Sequence, residues 1–346
     1  MLFSRRQRLE LGIVVFELTD ACNQACKFCY NHFKGGDTPC TVEVPNFRQA
    51  RRTLRRLQRE ARIASISFSG GEPMLMPRIH DLILKARAGG SNVNLLTNGT
   101  LLKEDDIEII DDLGVGLVQI PLLSHRAEVH DHITQLRGSW ERAMASARRI
   151  AAKHAERLTP VFILSKLNVE DIEPTLEMYA SMGVKRIMLN RFNIGGLGRK
   201  YAEELTLSHE ELREAFGRAN AKLGELGMVA HNGVCTPMCL LRPQEYPHIT
   251  FTHCTTDLSS RPLTVNYRGD VRFCNHSPRV LGNIHEESLA KILERSSSDG
   301  YFSNIPKQCA QCELWERCRG GCRAASEQLY GTFDIADPIL NIENPK

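Results

Sequence analysis

The sequence has little that would place it in a membrane, outside the cell or on a nucleic acid. Its longest apolar run near the start, Leu11 to Phe16, is far shorter than the roughly 20 residues that a membrane-spanning helix needs. The basic first residues are not followed by an apolar segment with a small-residue cleavage site, so a secretory signal is not expected. A net charge of +3 gives no indication of a nucleic-acid partner. We therefore expect a cytoplasmic protein.

Cysteine is absent from the middle of the chain and concentrated towards its two ends. Four of the 12 cysteines fall by residue 40, none lies between residues 41 and 234, and eight lie between residues 235 and 322. Disulfides are rare where thiols are kept reduced, and cysteines used as small core residues would not cluster so strongly. The distribution indicates metal ligation at two places. Cys40 has no obvious partner, and we expect it to be an unligated thiol.

The pattern of apolar residues predicts one large domain and a smaller one within the 346 residues. Short apolar runs alternate with helical patterns through the first two-thirds, and six strand–helix units in a row predict a parallel sheet of the α/β class. Strands are predicted at 13–18, 63–68, 93–96, 115–120, 161–164 and 186–189, with helices near 46–62, 77–88, 103–112, 139–154, 170–182 and 208–226. Six units would leave a barrel open, so we predict a partial (β/α)6 TIM-like barrel.

The chain beyond about residue 230 contains too little periodic apolar sequence for a conventional core. It is rich in cysteine, proline and histidine, with short strands expected at 263–266 and 271–273, so bound metal would have to stabilise it. The predicted division is an N-terminal extension at 1–10, the barrel at 11–230 and a small cysteine-rich domain at 231–346.

Three cysteines follow the first predicted strand in the order Cys22-x3-Cys26-x2-Cys29, with Phe28 before the last. Three thiolates from one loop would leave one iron of a four-iron cubane open to another ligand. Zinc is the alternative, because it also takes Cys-x2-Cys pairs. The spacing and the aromatic residue resemble the signature of the radical S-adenosylmethionine (SAM) superfamily.

The resemblance implies that Cys22, Cys26 and Cys29 hold a [4Fe–4S] cluster and that SAM binds its open iron. Electron transfer to SAM would then yield methionine and a 5′-deoxyadenosyl radical that removes a hydrogen atom from the substrate. Each of the other candidate positions follows a predicted strand and could alternatively be a turn or capping residue. The expected cofactor-binding residues are Phe28, Gly70, Gly71, Glu72, Pro73, Asn98, Ser124, Asn190 and Arg191.

The C-terminal cysteines form a second pattern, Cys309-x2-Cys312-x5-Cys318-x3-Cys322, preceded by Cys254-x14-Gly269-x4-Cys274. A zinc ribbon would also suit four of them. Together they resemble the SPASM domain, which implies two auxiliary [4Fe–4S] clusters that accept or relay electrons. By that resemblance the first cluster would use Cys254, Cys274 and Cys322 with an upstream cysteine. Cys235 and Cys239 compete for that place, and we favour Cys239.

The second auxiliary cluster would be held by Cys309, Cys312 and Cys318. The SPASM pattern has a further cysteine after the equivalent of Cys322, and this chain has none there. We therefore expect three thiolates, with the fourth iron taking a carboxylate such as Asp334 or Asp337, a water or the substrate.

The resemblance implies a radical SAM oxidoreductase, most often a maturase of ribosomal precursor peptides that forms a crosslink or an epimer. The alternatives are modification of a cofactor, porphyrin or sugar, and a non-enzymatic electron-transfer or zinc-scaffold protein. Asn275 stands where sulfatase-maturing members carry an aspartate that acts as a base. Asparagine cannot take that role, which disfavours formylglycine formation. A separate peptide-recognition protein is a possible partner. An arginine-rich helix at 46–62 is either a solvated face or a docking surface for an acidic, flavodoxin- or ferredoxin-like electron donor.

Overall fold

The computed structural model describes residues 8–34, 45–255, 261–297 and 304–341; Cys40 lies outside these ranges. The strands are β1 (Leu9–Glu17), β2 (Ala61–Ser69), β3 (Asn92–Leu96), β4 (Leu117–Pro121), β5 (Leu158–Leu164), β6 (Arg186–Arg191), β7 (Val229–Asn232), β8 (Ile249–Phe251), β9 (Leu263–Asn266), β10 (Asp270–Arg272) and β11 (Val280–Asn283). The helices are α1 (Phe47–Glu60), α2 (Ile79–Ala88), α3 (Glu104–Asp112), α4 (Ala127–Thr134), α5 (Ser139–His154), α6 (Ile172–Ser181), α7 (Ala202–Leu205), α8 (His209–Glu225), α9 (Leu289–Ser297), α10 (Trp315–Cys318) and α11 (Arg323–Tyr330).

All eleven described strands belong to one sheet in the order β11-β10-β9-β1-β2-β3-β4-β5-β6-β7-β8. Neighbours from β1 to β8 pair in parallel, as the alternation of strands and helices predicts. On the other side of β1, β9 also pairs in parallel, and β10 and β11 continue the sheet antiparallel. The predicted α/β class with a parallel sheet is confirmed.

The local sequence explains the elements that carry the site. In β2 the side chains of Ile66 and Phe68 are fully buried. They lie on the inward face of the strand, as its alternating sequence predicts. Helix α1 buries Ala50, Leu54 and Leu57 and leaves its arginines on the other face. At the start of α8, Ser208 and Glu211 form the predicted capping box.

The sheet fixes where the cysteine-bearing segments meet. The Cys22 loop leaves the carboxyl end of β1, and the β9–β10 hairpin, which continues to Cys274, is bonded to the same strand. One sheet therefore runs across the predicted boundary near residue 230, and the three-part division remains a prediction. Among the residues that the structure describes, no helix is both long and apolar enough to cross a membrane.

Candidate iron–sulfur and SAM site

The Cys22–Cys29 loop brings three thiols together beside a cation. Burial raises the pKa of Cys26 well above its usual value, and the charges of Cys22 and Cys29 add to the effect. Lys34 is also buried, which disfavours its charged form, but the three thiolates outweigh burial and raise its pKa. Its ammonium hydrogen-bonds the Cys22 side chain and donates to the carbonyl of Gln24 at 3.0 Å. Three converging thiols with a neighbouring positive charge fit the predicted iron–sulfur cluster.

The glycine turn after β2 packs against the backbone of this loop. Gly71 N–H donates to the Thr19 carbonyl at 2.7 Å, and Glu72 N–H donates to the Ala21 carbonyl at 2.8 Å. A Cβ on Gly71 would overlap the Ala21 carbonyl, and Gly70 adopts a φ of +129°. The glycines therefore allow the turn to approach the cysteine loop itself, whereas the sequence suggested a close approach to a ligand.

Glu72 is fully buried and fastens two loops together. Its carboxylate accepts bonds from Thr97 Oγ1 at 2.6 Å, from Asn98 N–H at 2.8 Å and from Met74 N–H at 3.0 Å. Burial raises its pKa, and these hydrogen bonds oppose the increase. Glu72 also caps the short 3₁₀ turn that begins at Pro73. The carboxylate thus orders the mouth of the sheet at the ends of β2 and β3.

Asn98 connects the end of β3 to the cysteine loop. Its Nδ2 donates to Asn23 Oδ1 at 2.7 Å, while Asn23 Nδ2 donates to Thr100 Oγ1 at 2.8 Å. Asn98 Oδ1 accepts from Thr100 as well. Asn23 lies next to Cys22, so this network positions the loop from the β3 side. The sequence did not single out Asn23 or Thr100.

Ser124 and Asn190 have partners within the protein. Ser124 is fully buried, donates to Asp171 Oδ2 at 2.5 Å and accepts from Arg126 N–H at 2.8 Å. Asn190 Oδ1 accepts from Gly233 N–H at 2.8 Å. The geometry gives both side chains a structural role, and their contact with the cofactor stays a prediction.

Arg191 also has partners within the protein, because each of its three guanidinium nitrogens is engaged there, and its contact with the cofactor stays a prediction. It is 2% exposed and donates to Thr236 Oγ1 at 3.2 Å, to the Cys235 carbonyl at 3.2 Å and to Asp337, with further bonds to Phe192 and Asn193. The buried Asp337 also accepts from Cys322 N–H at 2.7 Å. Arg191 therefore joins β6 to the C-terminal cysteine segment.

A glycine-rich run after β6, Gly195-Gly196-Leu197-Gly198, also touches the cysteine loop and was missed. Gly198 N–H donates to the Cys29 carbonyl at 3.0 Å, and Gly196 has a φ of +48° with the Cys29 carbonyl 2.6 Å from where a Cβ would lie. Phe28 packs nearby against the small apolar cluster of Phe192, Ile194 and Leu205. The three glycines directly after a predicted strand were the signal in the sequence that could have indicated this contact.

One group of C-terminal thiols contains Cys235, Cys254, Cys274 and Cys322. Cys235 and Cys274 pack against the small cluster of Cys322, Ala324 and Ala325, and a hydrogen bond joins the Cys235 and Cys254 thiols. That bond lowers the pKa of Cys254 to about 7, while burial and the nearby Asp337 raise the pKa of Cys322 to about 12. Asn193 Nδ2 donates to Cys322 Sγ at 3.2 Å. These four thiols are called the first auxiliary group.

The second auxiliary group contains Cys309, Cys312 and Cys318, with Cys239 beside them. Burial raises the pKa of Cys309 to about 11, and the charges of Cys318, Cys312 and Cys239 add to this. Burial likewise raises the pKa of Cys239, with Cys318 and Cys312 as its charged neighbours. The sequence favoured Cys239 for the first group, whereas in the structure Cys235 is the thiol that neighbours Cys254, Cys274 and Cys322; which of the two is a cluster ligand there stays a prediction.

The two carboxylates predicted as alternative ligands already have hydrogen-bond partners within the protein. Asp337 is committed to Arg191 and Cys322, and its other oxygen accepts from Ile339 N–H at 3.0 Å. Asp334 accepts from Asn304 Nδ2 at 2.9 Å and from Thr332 Oγ1 at 3.2 Å.

Tyr30 and His276 connect the Cys22 loop to the first auxiliary group. Their rings stack with centroids 4.8 Å apart, and Asn275 Nδ2 donates to the Tyr30 hydroxyl. Tyr30 directly follows Cys29, and Asn275 directly follows Cys274. Burial raises the pKa of Tyr30 and lowers that of His276 to about 4, so both rings are neutral near pH 7.

Comparison with protein families matches two segments of the chain. Residues 16–179 match the radical SAM superfamily, and residues 254–319 match SPASM, an iron–sulfur cluster-binding domain. The chain therefore carries a radical SAM domain followed by a SPASM domain. With this pair of domains, it is a radical SAM enzyme that uses SAM with a [4Fe–4S] cluster and has auxiliary iron–sulfur binding in its C-terminal part.

Relatives of this radical SAM enzyme extend along almost its whole length. It is 26% identical over 338 residues to the PqqA peptide cyclase of Gluconobacter oxydans, covering 94% of this chain and 89% of that protein. A PqqA peptide cyclase of Xanthomonas campestris is also 26% identical, over 333 residues, with 94% and 85% covered.

Solved structures share the fold of this radical SAM enzyme at low identity. Native anSMEcpe with bound AdoMet has a TM-score of 0.72 at 15% identity, covering 96% of this chain and 94% of that one. Streptococcus suis SuiB bound to its precursor peptide SuiA has a TM-score of 0.72 at 16% identity, covering 95% and 75%.

Proposed function

We propose that this radical SAM enzyme modifies a ribosomally made precursor peptide, by a carbon–carbon, carbon–sulfur or carbon–oxygen crosslink or by epimerisation. The observation that carries the proposal is the similarity to PqqA peptide cyclases over 94% of the chain, which includes both cysteine-bearing regions. A protein similar to peptide cyclases along both regions is expected to share their class of substrate. The fold it shares with SuiB, solved with the precursor peptide SuiA, is compatible with that class.

In this proposal Cys22, Cys26 and Cys29 hold the cluster at which SAM is cleaved. Bound SAM and the cluster supply a 5′-deoxyadenosyl radical, which takes a hydrogen atom from the substrate. The protein holds the loop rigid from three sides through Gly71, Asn98 and Gly198. Such support matters because a misplaced reacting atom loses much of the rate advantage of binding.

Glu72 and Asn98 are proposed to orient the methionine part of SAM. Both lie at the carboxyl ends of neighbouring strands, and Glu72 Oε2 accepts a hydrogen bond from Asn98 N–H, which leaves this oxygen capacity for another donor. We also propose that Gly70 and Pro73 contact SAM, because the turn that carries them packs on the cysteine loop. Phe28 is proposed to contact SAM because it lies within that loop.

The first auxiliary group is proposed to hold one [4Fe–4S] cluster through Cys235, Cys254, Cys274 and Cys322. The four thiols are buried or half-buried, and Cys235 is hydrogen-bonded to Cys254 and within electrostatic range of Cys274 and Cys322. Such a set fits a cubane that needs four ligands. The Tyr30–His276 stack then fixes the distance between this group and the Cys22 loop.

Formylglycine formation remains disfavoured. Asn275 donates its amide hydrogen to the Tyr30 hydroxyl, and an amide cannot act as a base.

An acidic electron donor is proposed to dock on the arginine face of α1. Arg51 and Arg55 are exposed there, and a groove of about 420 Å³ between α1 and α2 is lined by Arg51, Arg78 and Lys85. Arg56 is paired with Glu60 at 2.5 Å, so it contributes less net charge. Replacing Arg51 and Arg55 by glutamate should slow reduction by flavodoxin but not by dithionite. The control is Arg62→Glu, on β2; equal slowing by both would contradict docking at α1.

The test of the function combines two measurements on the anaerobically reconstituted enzyme. Reduction in the presence of SAM should release 5′-deoxyadenosine, and a short peptide encoded beside this gene should change in mass spectra. Loss of a pair of hydrogen atoms indicates a crosslink, whereas uptake of one solvent deuterium at otherwise unchanged mass indicates epimerisation. A separate recognition protein, if encoded nearby, is added in a parallel reaction.

The possible results separate the hypotheses. No 5′-deoxyadenosine would reject radical chemistry. Release of 5′-deoxyadenosine with an unchanged peptide, in both the presence and absence of the recognition protein, would favour the small-molecule alternative. The control is Cys29→Ala, which should release no 5′-deoxyadenosine.

A further inference from the structure

Two segments with the same cysteine spacing lie side by side in the C-terminal region. Cys235-x3-Cys239 follows β7, and Cys318-x3-Cys322 joins α10 to α11. Met238 N–H donates to Cys318 Sγ at 3.3 Å, which fixes one segment against the other. Pro237 also lies against Gly321, where an added Cβ would be 2.8 Å from its ring.

Each of these two segments contributes one cysteine to each thiol group. At one end, Cys235 packs against the cluster that contains Cys322, and the charge of Cys322 acts on it within the first auxiliary group. At the other end, Cys239 directly follows Met238, whose N–H is bonded to Cys318. Cys239 has Cys318 and Cys312 as its charged neighbours, and Cys309 has Cys239 among its own. The pairing divides eight thiols into two groups of four.

The two carboxylates considered for the fourth position of the second group already have hydrogen-bond partners within the protein. Asp337 accepts hydrogen bonds from Arg191 and from Cys322 N–H, and the charge of Asp337 acts on Cys322 in the first group. Asp334 is bonded through one oxygen to Asn304 and through the other to Thr332.

We propose that Cys239 is the fourth thiolate ligand of the second auxiliary cluster, in place of the cysteine that this chain lacks after Cys322. The inference rests on the auxiliary clusters of the proposed function. A cubane held by four thiolates has no open iron, so substrate and SAM would find an open iron only at the Cys22 loop. This reverses the sequence-based expectation of a second incomplete cluster.

The first test measures the iron content of a background variant in which Cys22, Cys26 and Cys29 are all replaced by alanine. That protein should carry about eight irons in two auxiliary cubanes. Adding Cys239→Ala should lower the iron content by about one per chain and give the electron paramagnetic resonance signal of an oxidised three-iron cluster. Cys239→Ser, which keeps an oxygen ligand, should restore the four-iron cluster in part. The matched control is Cys235→Ala, whose defect should fall on the other cluster and be distinct in Mössbauer spectra.

The second test needs no substitution. Cys239 alone among the described cysteines is an exposed residue, so an unligated Cys239 would be alkylated readily in the native enzyme. We expect mass spectrometry to find it protected from iodoacetamide in the iron-loaded anaerobic protein and labelled after a chelator and an oxidant remove the clusters.

The outcomes separate the inference from the function on which it rests. Labelling of Cys239 in the loaded protein, or an unchanged second cluster in Cys239→Ala, would overturn the inference alone. A background protein that binds no iron in its auxiliary groups would overturn the proposed auxiliary clusters as well.

Discussion

The buried ion pair between Arg272 and Glu17 allows a quantitative test of how the C-terminal hairpin is held to the barrel. Arg272 ends β10 and Glu17 ends β1, and their side chains are only 1% and 3% exposed. The same guanidinium donates to the Ser277 carbonyl at 2.8 Å and contacts His32 Nδ1 at 3.0 Å. Replacing Arg272 by methionine keeps the bulk of the side chain and removes its charge.

We expect Arg272→Met to lower the free energy of unfolding by about 3–5 kcal/mol near neutral pH, because it leaves Glu17 buried without its counter-ion. The loss should depend on pH. Burial raises the pKa of Glu17 above its usual 4.5, and Arg272 opposes that increase, with Asp20 nearby favouring it. Without Arg272 the pKa of Glu17 rises further, and each additional unit corresponds to about 1.4 kcal/mol.

The sign follows from linkage. A carboxyl whose pKa is raised in the folded state binds its proton more tightly there, so stability falls as the pH rises from 4.5 through the folded pKa. The deficit of Arg272→Met should therefore be larger at mildly alkaline than at mildly acidic pH. The neighbouring His32 has a pKa of about 4, lowered from 6.5 by burial and then by Arg272. Removing Arg272 relieves part of that lowering, so protonation of His32 costs the variant less stability at acidic pH, which acts in the same direction as Glu17.

The assay is anaerobic urea unfolding followed by far-ultraviolet circular dichroism at two pH values. The double variant Glu17→Gln/Arg272→Met should recover part of the stability, because no charge is left buried. Arg62→Met is the control, since Arg62 and Glu10 are both 71% exposed and such pairs contribute about 0–1 kcal/mol. A deficit that does not change with pH, or a double variant no more stable than the single one, would refute this reasoning.

Three further outcomes follow from contacts around the clusters. Gly71→Ala should reduce iron retention by the Cys22 loop, because its Cβ overlaps Ala21; Gly217→Ala, with nothing within 4 Å of the new Cβ, should leave iron content unchanged. Lys34→Met should lower the reduction potential of the radical SAM cluster in a redox titration, because a nearby cation favours electron uptake, and Lys34→Arg should largely restore it. Asn193→Ala removes an N–H hydrogen bond to the Cys322 sulfur and should lower the reduction potential of the first auxiliary cluster. An unaltered potential in the Lys34 or the Asn193 variant would contradict the corresponding assignment.

The barrel could be predicted because its signals are local. Alternating apolar residues mark β2, and a capping box marks the start of α8, so both were predicted within two residues of their bounds. Strands of three or four partly polar residues offer few positions in which a period can be recognised. Of the five such strands, β9 and β10 were predicted, whereas β7, β8 and β11 were not. Helix α4 was missed for a related reason, being eight residues long within a loop region.

In the candidate site, too, the features that depend on local spacing could be predicted, and those that depend on contacts between distant segments could not. The spacing of Cys22, Cys26 and Cys29 is local, and those thiols converge in the structure. The choice between Cys235 and Cys239 depends on which group each meets across the fold, and no spacing within the segment decides that. The internal partner of Arg191 could not be predicted because Asp337 lies 146 residues away in the sequence.

The position of β9 also has a consequence for how the chain is made. β1 is hydrogen-bonded on one side to β2 and on the other to β9, whose first residue, Leu263, pairs with Val14. During synthesis β1 therefore keeps one edge unpaired until the C-terminal part has left the ribosome, and unpaired edges are sites of aggregation. We expect a fragment ending at residue 250 to aggregate, because it lacks the strand that covers this edge of β1.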